Sequence, residues 1–319
     1  MITLKQLRHA IAVAQYGNFH RAAEAENISQ PALSRSIRAL EEQLGAQLFD
    51  RQGATVEPTL YGAALLQRAG RALVETEELH REVELLKGLE TGELRVAMGV
   101  YAAEMSAGRA AGELVSNHPG LNCRLKLTSW KDLAPLVTSR SVDLAIGEIS
   151  TLGETPELVT ESIGRHRVIL FCRRDHPLAD RDQLSTEDLA DYPTVMPRLP
   201  PRAVGLFPGR SRLDRATGDL LPSIEVDDLA SARLVVSSSH AFAFATPVQI
   251  EPWLRSGEFR VLGFDAPWLQ LNYGFIYLRN RMLSPAAEAY MALVRRIEIE
   301  VRERNRALLK RLGREPEPV

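Results

Sequence analysis

The sequence predicts a mainly helical head, a long linker helix and a two-lobed α/β body, in that order. Three observations carry this. Apolar residues recur at helical spacing through positions 1–60, a heptad-spaced stretch follows, and from Glu93 strand and helix patterns alternate. The chain has 319 residues, 45 % hydrophobic and 25 % charged, enough for more than one packed core and unlike a disordered composition. The formal net charge of −2 gives no overall basic signal, so a nucleic-acid reading must rest on where charges fall. No run approaches the ~18–20 apolar residues of a membrane span. The N-terminal apolar run Ala10–Ala14 is too short for a signal peptide, and a cytoplasmic location is expected. Cys123 and Cys172 stand far apart and the histidines share no ligand spacing, so neither a metal site nor a disulfide framework is expected.

In the head, Leu4, Leu7, Ile11 and Ala14 predict a helix over 3–16 that ends near Gly17. Asn18 is placed to cap a second helix starting at Phe19. Ser29 is placed to cap a third, with Pro31 in its first turn, where a missing N–H costs nothing. On that helix Leu33, Ile37, Leu40 and Leu44 share one side, while Pro31, Ser34, Arg35 and Arg38 share the other. A face of short polar groups and two arginines fits the major groove of B-DNA. Taken alone, the same arginines could equally solvate a surface helix.

The surrounding residues weigh against that bland reading. The strings Asn18-Phe19-His20-Arg21-Ala22-Ala23, Ile28-Ser29-Gln30-Pro31-Ala32-Leu33-Ser34-Arg35-Ser36-Ile37, Leu40-Glu41-Glu42-Gln43-Leu44-Gly45 and Leu48-Phe49-Asp50-Arg51 together resemble the signature of LysR-type transcriptional regulators. The resemblance implies a winged helix–turn–helix over 1–60. Gln30, Pro31, Ala32, Ser34 and Arg35 would face bases or adjacent phosphates, and Arg38 and Arg51 would hold the backbone. Three positions depart from the family pattern. Glu26 stands where leucine is usual beside the turn, and Pro58-Thr59-Leu60-Tyr61-Gly62 replaces the usual string after the wing. The wing residues Gln52-Gly53-Ala54-Thr55-Val56 carry no Arg or Lys, so the third helix is expected to dominate specificity.

Over 61–91, Leu65, Ala69, Ala72, Thr76, Leu79, Val83 and Leu86 alternate spacings of 4 and 3, the repeat of a coiled-coil seam. Leu65, Ala69, Ala72, Leu79, Val83 and Leu86 are therefore the dimerisation candidates, the alternative being a long helix packed on its own chain. Gly70 within it costs about 1 kcal/mol relative to Ala. A two-fold pair of readers would match a palindromic site.

From 92 to 304, strand patterns at Leu94–Met98, Asn122–Leu127 and Val142–Ile146 alternate with helix patterns at Glu104–Asn117 and Lys131–Ser139. Further segments are read at Arg167–Cys172, Thr194–Met196, Ala230–Ser237, Ala241–Ala245 and Leu269–Leu278, and a helix from Ser284 to about Arg304. Lobe I is expected over 92–165 and 266–304, lobe II over 166–265, and a frayed tail over 305–319. The layout is similar to the family's periplasmic-binding-protein-like effector domain. Strand ends at the cleft give the effector-site candidates: Val100, Tyr101, Ala102, Thr128, Ser129 and Trp130 from one lobe, Met196, Arg198, Arg202, His240 and Phe242 from the other. Ser129 with Asp132 also makes a capping pattern. His240 and Phe242 replace two glycines of the family's string. Arg198, Arg202 and His240 could hold a carboxylate or phosphate, or could be solvated loop charges, and Glu148 would repel an anion if it faced the site.

Three functions follow for comparison: a DNA-binding regulator answering to a small molecule, an enzyme with an accessory head, or a regulator whose cleft serves only assembly. No short nucleophile, phosphate-loop, dinucleotide or metal motif occurs, and the first is expected, with no enzymatic activity. No cofactor is expected beyond an unidentified effector. The partners implied are double-stranded promoter DNA, a second copy of the chain in a dimer or tetramer, the effector, and RNA polymerase as a further candidate, with no membrane.

Overall fold

The computed structural model describes all residues except 51–54, 86–91, 151, 153–154, 200–209, 267 and 315–319, and except the side chains of 77–78 and 80–85. Arg51, Arg202, Leu86 and the Val83 side chain therefore lie outside the described residues. Two compact units form, Met1–Lys87 and Gly88–Val319.

The first unit holds α1 (Leu4–Tyr16), α2 (Phe19–Ala25), α3 (Gln30–Leu44), the antiparallel pair β1 (Phe49–Asp50) and β2 (Glu57–Pro58), and α4 (Leu60–Leu85). Thr3 opens α1 with a reciprocal capping box to Gln6, and Gly17 closes it in the left-handed region. The buried face of α1 is Leu7, His9, Ala10, Ala12 and Val13 rather than the expected Leu4, Leu7, Ile11 and Ala14, and Leu4 is exposed. The helix packs on α2, α3 and α4 together, which widens the buried arc beyond one stripe. Asn18 caps α2 as expected, accepting from the His20 and Arg21 amides. Ser29 occupies the N-cap position of α3 but its hydroxyl makes no capping bond. Pro31 offers no N–H, and the Ala32 amide is already bonded to the Ser29 carbonyl. Leu33, Ile37 and Leu40 are buried, whereas Leu44, the last residue before Gly45, overruns the core and is 39 % exposed.

The start of α4 belongs to the same core. Ala69 is buried there and Leu65 and Leu66 pack against it, so the first two seam candidates face their own chain. Ala72 and Thr76 are half-buried, and Leu79 is 61 % exposed.

The second unit contains two five-stranded sheets. Lobe I comprises β3 (Gly92–Met98), a helix made of α5 (Val100–Ala102), a π-turn at Ala103–Ala107 and α6 (Gly108–Asn117), then β4 (Leu121–Leu127), α7 (Trp130–Thr138), β5 (Leu144–Glu148) and β6 (Leu158–Arg167). Lobe II follows with β7 (Ile169–Arg173), α8 (Thr186–Ala190), β8 (Thr194–Met196), the hairpin β9 (Ser211–Leu213) and β10 (Leu220–Pro222), β11 (Ile224–Glu225), α9 (Leu229–Ser238), β12 (Phe242–Ala245), α10 (Pro247–Ser256) and β13 (Phe259–Val261). The chain returns through β14 (Gln270–Leu278) into α11 (Pro285–Arg311). Lobe I orders its strands β4-β3-β5-β14-β6, with β4, β3 and β5 parallel and the last two antiparallel. Lobe II orders them β11-β8-β12-β7-β13.

The first crossing between lobes follows Arg167, since β6 stays paired to β14 up to that residue. The expected tail at 305–319 is corrected: α11 continues to Arg311, with Asn305, Leu308 and Leu309 buried. Leu309 packs with Phe171 and Phe259 of lobe II, and Arg314 donates to the Leu262 carbonyl.

Candidate functional site

Two sites emerge, one in each unit. In the first, buried Leu33, Ile37 and Leu40 fix α3 on the core, so Gln30, Pro31, Arg35 and Arg38 are exposed on its other side, with Ala32 and Ser34 half-buried between them. Among the described residues neither Arg35 nor Arg38 is paired with a carboxylate, which leaves both guanidinium groups for an external acceptor. The turn before α3 is made by Asn27 at φ +54°, a left-handed position that asparagine tolerates. Glu26, beside it, is half-buried, and its charge acts on His9.

The sequence pattern missed His9. It is buried, and its Nδ1 lies 2.6 Å from the Ser36 hydroxyl, tying α1 to the inner side of α3. Burial lowers its pKa below the ordinary histidine value, partly offset by Glu26 and reinforced by Lys5 and Arg8. No helical period signals a polar residue in this place; the signal is its partner, 27 positions away.

The second site is a cavity of about 310 Å³ between the two lobes. Val100, Tyr101, Ala102, Ser129, Trp130 and Arg198 line it, as the strand-end argument expected. The other candidates fall elsewhere. Thr128 turns aside to donate to Asp132 at 3.2 Å, and Ser129 stands at the N-cap position of α7 without a side-chain capping bond. Met196 and Phe242 are buried in the core of lobe II, where inward strand positions must be filled. His240 is exposed, in contact with Arg173, and its carbonyl accepts from His176 Nε2 at 3.0 Å. The grouping of Arg198 with His240 around an anion is therefore not formed, because His240 does not line this cavity.

Residues not foreseen complete the wall, chiefly Met105, Lys131, Leu199, Glu225, Leu271 and Tyr273; Glu148 also faces it. Two bonds from the start of α7 cross the cleft: Trp130 Nε1 donates to the Arg198 carbonyl at 3.0 Å, and Lys131 pairs with Asp219. Burial alone would raise the Asp219 carboxyl, but bonds from Lys131 and Thr217 and the charges of Lys131 and Arg198 outweigh it and hold it below the usual range. Arg198 spans Glu225 at 3.3 Å and Asp214 at 3.1 Å. Glu148 accepts the Asn272 and Ser150 amides, each at 2.7 Å.

Behind the cavity runs a buried polar chain. Tyr273, a residue of the cavity wall, bonds Ser106 on the π-turn at 2.7 Å, and Ser106 donates to Glu298 on α11 at 3.0 Å. Glu298 also accepts a hydrogen bond from His166 Nε2, and His166 Nδ1 meets Asn305 Nδ2 at 3.0 Å. Asn305 Oδ1 accepts the Val248 amide of lobe II at 2.8 Å. Every member is satisfied, the condition under which buried polar groups specify one arrangement.

Among the described residues no group of His, Cys, Asp and Glu could hold a metal ion, and no helix is long and apolar enough to cross a membrane. Cys172 is buried and desolvation pushes its thiol up to about 12; burial also raises half-buried Cys123.

Comparison with known proteins bears on both sites. Residues 4–63 match the family described as bacterial regulatory helix-turn-helix protein, lysR family, and residues 87–297 match the LysR substrate binding domain. The SDS degradation transcriptional activation protein of Pseudomonas sp. (strain ATCC 19151) is 34 % identical over 304 residues, 92 % of this chain and 96 % of that protein. The RuBisCO operon transcriptional regulator of Allochromatium vinosum is 28 % identical, covering 92 % of this chain and 95 % of that one. The crystal structure of CbnR, a LysR family transcriptional regulator, shares the fold at a TM-score of 0.61 and 19 % identity, over 93 % of this chain and 99 % of that one. An exposed pair of arginines on a helix–turn–helix and a ligand-sized cavity between two α/β lobes thus occur in one chain that matches both family domains along most of its length: it belongs to the LysR family and is a DNA-binding transcriptional regulator.

Proposed function

We propose that the chain reads a two-fold-related promoter site as a dimer or tetramer in the cytoplasm, through Gln30, Pro31, Ala32, Ser34, Arg35, Arg38 and Arg51, and that a small molecule in the inter-lobe cavity sets this activity. The observation that carries the reading is the outer face of α3, where Arg35 and Arg38 are exposed and uncommitted on a helix locked by its opposite side. Arginine in this position donates two bonds to guanine or clamps a phosphate. Exposed Leu79, with Ala72 and Thr76 on the same line, supports a partner helix along α4, while Leu65 and Ala69 are used within the chain. The cavity binds without chemistry on its ligand, needs no cofactor, and transmits its state to DNA and to RNA polymerase through the assembly.

Selection of duplexes from a random pool by the purified protein, beside an Arg35→Ala variant, tests this. The protein should enrich an inverted repeat with half-sites about one DNA turn apart, or a multiple, and the variant should not. Enrichment of the same repeat by both would remove Arg35 from the reading face, and enrichment of an unrepeated site would remove the two-fold assembly.

A further inference from the structure

The cavity's charges are set against an anionic occupant. Its walls are mainly apolar, from Val100, Tyr101, Met105, Trp130, Leu199 and Leu271. Among the described residues two cations line it, Lys131 and Arg198, and four carboxylates, Asp132, Glu148, Glu225 and Asp227. Both cations are already engaged. Lys131 holds Asp219 across the cleft, and Arg198 holds Glu225 and Asp214 with Asp219 at 3.8 Å. An anion that took Lys131 would leave Asp219, which is 2 % exposed, with Thr217 as its one directly bonded donor and Arg198 at 3.8 Å. It would also face Glu148, whose carboxylate is fixed in place by two backbone amides. Among the lining side chains, four carboxylates against two engaged cations leave chiefly acceptor lone pairs to a ligand, and a volume of about 310 Å³ suits a small molecule.

Building on the reading of this cavity as the effector site, we infer that it takes a molecule with an apolar body and no negative charge, whose polar end donates hydrogen bonds, as a hydroxyl or amine does. The carboxylates repel an anion while Trp130, Leu199 and Leu271 cover the hydrocarbon. The pairing of Lys131 with Asp219 thus serves closure of the cleft rather than capture of the ligand, and the pairs of Arg198 order the lobe II wall.

The test is calorimetric titration of the full-length protein with four probes that share one chain: 1-octanol, octylamine, octanoate and octyl sulfate, each below its micellar concentration at neutral pH. The alcohol and the amine should bind at least about tenfold tighter than the two anions. The double variant Asp132→Asn/Glu148→Gln should narrow that gap by strengthening octanoate several-fold while 1-octanol is unchanged. Tighter binding of octanoate or octyl sulfate, or binding of none of the four, overturns the ligand class. A Leu199→Trp variant, which fills the cavity, tests the location separately: binding that survives it places the ligand elsewhere and overturns the cavity reading, whichever probe binds best.

Discussion

At the scale of single residues, the reading face depends on arginines whose geometry is local and on a histidine whose geometry is not. Arg38→Ala should weaken binding about equally across DNA sequences and reduce the salt dependence of affinity by a slope of about 1, measured by fluorescence anisotropy at several salt concentrations. A loss confined to one base position would instead make Arg38 a base reader. His9 and His176 give the chain a pH dependence. Both are buried, and desolvation lowers both below the ordinary value, with the bond to the His240 carbonyl partly opposing the shift at His176. The unfolded chain takes up protons near pH ~6.5 while the folded imidazoles resist. Stability is then full above that pH and falls as pH drops toward the lowered values. Melting temperature should decline between about pH 7 and pH 5.5, less steeply in His9→Asn and less again with His176→Asn added. An unchanged slope in both variants would assign the decline to other groups. Arg35 and Arg38 were legible because a helical period places them opposite Leu33, Ile37 and Leu40. His9 was not, because its role is defined by Ser36 on another helix.

Among elements, the clearest constraint is the start of α4. A Cβ on Gly62 would sit inside contact distance of the Leu48 carbonyl, which precedes β1. Gly62→Ala therefore forces helix and wing apart, and should destabilise the head by about 1–3 kcal/mol, the usual cost of overpacking. Urea denaturation followed by circular dichroism measures it, and wild-type stability would mean that the contact relaxes freely. Gly62 thus keeps a small residue where the backbones meet. Elements with a plain period, such as β3, β8 and α9, were read within a residue or two. Those that were missed have a physical excuse. β6 mixes Thr160, Glu161 and Ser162 into an edge strand with one solvated face, and α10 carries Pro252 inside the helix besides Pro247 at its start. In the cavity, the strand ends Val100–Ala102 and Ser129–Trp130 were legible. Tyr273 and Leu271 arrive on β14, more than a hundred positions later, and no local pattern announces them.

For the whole effector unit, α11 is the element that refuses to belong to one lobe. Its first half packs on the sheet of lobe I, Glu298 joins the chain of bonds that begins at Tyr273, and Leu309 ends in the core of lobe II. Leu309→Ala should cost about 2–5 kcal/mol in urea denaturation, as for other fully buried leucines. A cost below that of a surface substitution would show that the helix end is undocked. The two strand crossings, near Val168 and between Leu262 and Gln270, are themselves laced together by the Val168 amide on the Leu269 carbonyl and by Arg167 with Asp265. Adding α11 gives three attachments, of which one is a rigid rod about 40 Å long at 1.5 Å per residue. A body held at two adjacent points can swing like a door; a rod fastened to both leaves prevents that swing and admits chiefly a twist about its own length. Occupancy of the cavity would then be expressed as torque, delivered along the helix whose Glu298 reaches the wall residue Tyr273 through Ser106.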